Sequence, residues 1–136
     1  MNQHPYLRAY MAGIVVPTLV VLLGVAVFTI ARYAYNFPAP IERLMIFPMT
    51  VVPNLWGVWN ILFLATHSRT HLSIGAHGAL LPLLLGPLGL LLMRGLHFEI
   101  PGFFSALPVL GVVALALYYL VWKYVVSFLN GVLGIA

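Results

Sequence analysis

Cysteine is absent from this 136-residue chain. That excludes disulfides, thiolate catalysis and thiolate-held zinc or iron–sulfur centres. Acidic residues are almost as scarce: Glu42 and Glu99 stand against six Arg and Lys. Neither lies in a long apolar stretch, so the intramembrane carboxylate that proton- or cation-coupled exchangers usually need is missing. Charge of any kind is rare. It makes up 6% of residues, where a soluble domain carries about 25%. With 63% apolar residues and a mean hydropathy of +1.09, the chain is neither a soluble globular domain nor a disordered one.

What is present is a set of long apolar runs between isolated charges. Arg8, Arg32, Glu42, Arg43, Arg69, Arg94, Glu99 and Lys123 bound four charge-free stretches, 9–31, 44–68, 70–93 and 100–122. Each holds at least 23 residues, and about 20 suffice for a helix to cross about 30 Å of hydrocarbon. The spacing predicts an all-α, four-span transmembrane helical bundle in a single domain. Its spans fall at about 10–31, 43–66, 74–93 and 107–124. Arg8 and the run behind it resemble the start of a signal peptide. The run is too long for one and no A-x-A site follows, so it is expected to be a retained span. So small a bundle has little interior. The expected partners are the lipid bilayer and either further copies of the chain or a larger membrane complex. Basic residues separated by a membrane thickness make no nucleic-acid footprint.

Proline, glycine and the aromatics subdivide these runs. The second is the least lipid-like, with Pro48, Thr50, Pro53, Asn54, Trp56, Gly57, Trp59 and Asn60. Pro48 and Pro53 deprive the carbonyls of Leu44 and Met49 of helical partners, which predicts a kinked or broken helix facing protein. Gly75 and Ala79 form a small-xxx-small pair suited to close helix approach. Pro108 is expected in the first turn of the fourth span. Tyr118, Tyr119, Trp122 and Tyr124 surround Lys123, the composition of a membrane interface. The apolar tail 125–136 either extends that helix or lies along the surface.

Four spans put both termini on one side, with Arg8, Arg69 and Lys123. Arg32, Arg43 and Arg94 fall on the other, so the positive-inside rule gives no bias. Both glutamates on the second side favour cytoplasmic termini. Dual topology with antiparallel dimers is the alternative.

Two constellations are candidates for function. Pro53, Trp56, Asn60, Phe63 and His67 follow helical spacing and share a face, and Asn54 is expected near the bilayer centre. The favoured role of Asn54 and Asn60 is interhelical hydrogen bonding; the alternative is the lining of a substrate path. The second constellation is His67-x3-His71-x5-His77. If helix continues through His71, the first two imidazoles lie one turn apart, a spacing that suits a metal. The His-x3-His pair resembles the first histidine box of membrane di-iron hydroxylases and desaturases. The further boxes of those families are missing here, and no carboxylate is expected on this side. A polar interfacial link is therefore favoured, and no cofactor is expected; the alternative is a transition metal or haem at these histidines. The leading functional expectation is a non-enzymatic accessory or assembly subunit of a membrane complex. The alternatives are a small oligomeric channel or uniporter lined by the second span, and a metal- or haem-dependent membrane enzyme.

Overall fold

The structure, a computed structural model, describes residues 3–36, 51–95, 97 and 102–135. It is all-α, with no strand among the described residues. α1 covers Pro5–Ala34, α2 Val52–Thr70 and α3 Ile74–Gly95. α4 covers Phe103–Val121 and passes through a π-helical turn, Trp122–Val126, into α5, Ser127–Val132. The apolar tail thus continues the helix. α1 packs along α2, and α3 along α4; α2 and the α4–α5 rod tie the two pairs together.

Three helices are long and apolar enough to cross a membrane: Pro5–Ala34, Ile74–Gly95 and Phe104–Val132. α2 is not among them. Asn54, Asn60, Thr66, His67, Ser68, Arg69 and Thr70 dilute its apolar character, and the residues expected to begin this span, 43–50, lie outside the described ones. So do Pro48 and the carbonyls of Leu44 and Met49. Pro53 occupies the first turn of α2, where its missing N–H interrupts no helical bond.

Two expected boundaries shift. α4 opens at Phe103 rather than beside Pro108, which lies inside it. Gly102 adopts the left-handed conformation (φ 76°), and its carbonyl accepts from Ala106 N–H and Ser105 Oγ. That glycine turn starts the helix before the proline is reached. At the other boundary, α2 ends at Thr70, because His71 turns left-handed (φ 51°) while its N–H closes on the His67 carbonyl. His71 is thus the C-cap residue, its N–H one helical turn beyond His67.

Burial concentrates toward one end of the bundle. The buried residues are Ala9, Ala12, Gly13 and Pro17 of α1, Trp56, Gly57, Asn60 and Phe63 of α2, and Gly75, His77, Gly78, Leu81 and Leu85 of α3. Trp122, Val126 and Asn130 complete the set. Together with the half-buried Tyr118, these last three recur every fourth residue. In a regular α-helix a four-residue step drifts about 40°, so the seam from Tyr118 to Asn130 would turn about 120° away. The wider π turn lies within that seam and absorbs drift, keeping Asn130 aimed at the core.

Glycine sets the helix spacing at this end. A methyl group on Gly13 would lie 2.6 Å from the Trp56 carbonyl oxygen. One on Gly78 would lie 2.0 Å from Trp122 Cγ, and one on Gly75 2.9 Å from the Tyr119 ring. The close pair in α3 is thus Gly75 and Gly78, with the expected Ala79 only half-buried. The i, i+3 pair fits because Tyr119 of α4 and Trp122 of the π turn have the same spacing.

Candidate functional site

The packed end is a junction of amides and aromatic rings. Asn60 is its centre, 1% exposed. Its Nδ2 donates to the carbonyl of Ala9 on α1 (2.7 Å) and to Asn130 Oδ1 on α5 (2.8 Å). Asn130 Nδ2 donates back to Asn60 Oδ1 at 3.2 Å. One buried amide pair therefore joins three helices, and each bond satisfies a group that water cannot reach. Beside it, Arg8 Nη1 donates to the Leu133 carbonyl at 3.2 Å, so the start of α1 meets the end of the rod.

A second cross-link joins α2 to α3. Trp59 Nε1 donates to the His77 carbonyl (2.7 Å), and His77 Nε2 bonds the Trp59 carbonyl (2.8 Å). A carbonyl only accepts, so the imidazole carries its hydrogen on Nε2. The two rings stack with centroids 4.8 Å apart. Phe63 touches both His67 (4.9 Å) and His77 (5.3 Å), and Trp122 meets His77 edge-on at 5.9 Å.

Trp56 links these groups to α4. Its ring lies 5.0 Å from Tyr118 and 5.4 Å from Trp122, and its Nε1 donates to the Tyr118 hydroxyl at 3.3 Å. Leu81, Leu85 and Val126 close the hydrophobic side.

The face expected from Pro53 to His67 divides on this geometry. Trp56, Asn60 and Phe63 are buried, Pro53 is half-buried, and His67 is exposed. Asn54 lies off that face and is exposed; the Tyr10 hydroxyl donates to its Oδ1. The three histidines are not brought together. His67 and His71 are exposed, His77 is buried against Trp59, and among the described residues no three His, Cys, Asp or Glu gather as a metal site.

Several junction residues were not read from the sequence. Tyr118 and Trp122 were expected in an interfacial belt, but Trp122 is fully buried and Tyr118 is bonded to Trp56. Helical phase explains the split: Tyr118 and Trp122 face the core, Tyr119 lies at its edge over Gly75, and Tyr124 faces outward. Asn130 carried a usable signal, as an isolated amide in an apolar tail. Tyr10 and the backbone acceptor on Ala9 carried none.

No known family, curated protein or solved structure matches this chain.

Proposed function

We propose that the chain is a non-enzymatic, multi-pass membrane subunit whose role is accessory or assembly-directed within a larger membrane complex. The observation that carries this reading is the Ala9–Asn60–Asn130 clamp. It directs the buried amides toward one another and fixes three helices in one arrangement, as a scaffold requires. Outside the packed end, the helices present continuous apolar faces available to lipid or to neighbouring membrane helices. The fourth span, 43–66 in the sequence, belongs to this proposal, with both termini on one side, preferentially the cytoplasmic one. Oligomerisation is part of it as well.

An oligomeric channel lined by α2 draws less support, because Trp56 and Asn60 are covered by neighbouring helices of the same chain. The deciding experiment is gentle solubilisation of the native complex, followed by its mass and composition. A different membrane protein at fixed stoichiometry is the expected result. A particle made of this chain alone, conducting solute after reconstitution, would replace this reading with the channel.

A further inference from the structure

We infer that Lys123, with Tyr119 and Tyr124, forms a binding site for the phosphate of an anionic phospholipid headgroup.

The start of α3 places Lys123 at a membrane boundary. A methyl group on Gly75, one residue inside the start of α3, would lie 3.2 Å from Lys123 Cβ. From that start the 22 residues of α3 rise about 33 Å toward the opposite boundary.

The side chain is exposed on the outer face of the rod. Its Nζ lies 5.6 Å from the Tyr119 ring centroid and 5.4 Å from that of Tyr124. Both tyrosines are exposed, at 37% and 62%. The two rings steady the ammonium from its sides but supply no full negative charge. The described residues contain no Asp or Glu at all. In sequence, Glu42 and Glu99 follow the far ends of α1 and α3. The chemistry that completes this site is therefore an anion at headgroup depth, and a lipid phosphodiester is the anion found there. The hydroxyls of Tyr119 and Tyr124 are further donors on this exposed face. The Lys123 amine holds none of the junction together, so the site is separable from the fold and does not rest on the proposed assembly role.

The test uses the purified full chain in nanodiscs of equal phosphatidylglycerol and phosphatidylcholine, with retained lipid counted by native mass spectrometry. The wild type should retain phosphatidylglycerol preferentially. Lys123→Gln should lower the phosphatidylglycerol-to-phosphatidylcholine ratio about fivefold, the value of one surface cation near anionic lipid. Lys123→Arg should keep it, and Arg94→Gln should leave it unchanged. Without any variant, the wild-type preference should weaken as ionic strength rises. An unchanged ratio in Lys123→Gln overturns the site. An equal loss in Arg94→Gln also overturns it, by assigning the effect to net charge. Displacement of the lipid by millimolar inorganic phosphate would mark a free-anion site and overturn the lipid assignment.

Discussion

The two ends of this bundle are built from different residues, and they pack differently. At one end, the first half of α1, the middle of α2, the first half of α3 and the end of the α4–α5 rod interlock through Gly13, Gly57, Gly75, Gly78, two buried asparagines and several aromatic rings. Toward the other end the same helices are Leu- and Val-rich and largely exposed. Over the most apolar window of each spanning helix, the buried share is 6% for α1, 22% for α3 and none for the rod. Apolarity therefore does not decide where helices of this chain meet. Lipid tails are as apolar as leucine, so Leu and Val faces gain little by leaving lipid for one another. Close backbone approach at glycine, dense ring contacts and amides that need partners supply the association.

The strongest break in this comparison is at Leu81, fully buried in the junction. Leu81→Ala should destabilise the protein by about 2–5 kcal/mol, the range for a core cavity. Leu83→Ala, two residues on and 60% exposed, should stay within about 0.5 kcal/mol. Unfolding free energies in mixed micelles measure both. Equal losses would show that the exposed half is as tightly packed as the junction.

Glycine gives the next contrast. Gly78→Ala drives a methyl into the Trp122 ring and should cost about 1–3 kcal/mol through overpacking. Gly86→Ala meets nothing within 4 Å. Relieved of glycine's helix penalty, it should be neutral or stabilising by up to about 1 kcal/mol. Trp122 fluorescence should shift in the first variant and not in the second.

The amide clamp should show a smaller effect. Asn60→Leu is expected to cost about 0.6–2 kcal/mol. Asn60 and Asn130 should be coupled in a double-mutant cycle, because removing either leaves the other buried without its partner. Additive losses would mean that the pair does not act as a unit.

The π turn offers a way to sharpen this result. Deleting Val125 should convert the turn to regular helix while keeping Ser127–Val132 in phase, since the eleven remaining steps from Tyr118 to Asn130 turn about 1100°, within about 20° of three full turns. Asn130 should then still meet Asn60, and their coupling in a double-mutant cycle should persist. Loss of the Asn60–Asn130 coupling in the deletion variant would refute the role assigned to the turn.

Which features were legible in the sequence follows from the same physics. The charge spacing marks helices, since a charge in hydrocarbon is costly and the intervening runs match a membrane thickness. It identified the apolar helices α1, α3 and α4 directly. It also counted a span at 43–66, where the described α2 is too polar to stand as a crossing by itself. Asn60 stood out because an amide in an apolar run demands a partner. The partner's identity did not, since Ala9 and Asn130 are 51 and 70 residues away and no local pattern links them. The histidine spacing placed His67 and His71 one turn apart, while His77 lies on α3, buried against Trp59.

The sequence by itself determined that this is a helical chain suited to a membrane, because hydropathy and helix length are additive along the chain. Only the tertiary structure decided which end of each helix packs, which of Tyr118, Tyr119, Trp122 and Tyr124 face inward, and which amides meet. Those outcomes depend on helix phase across a π turn and on backbone clearance at single glycines, and both are settled by how the helices fit against one another in space.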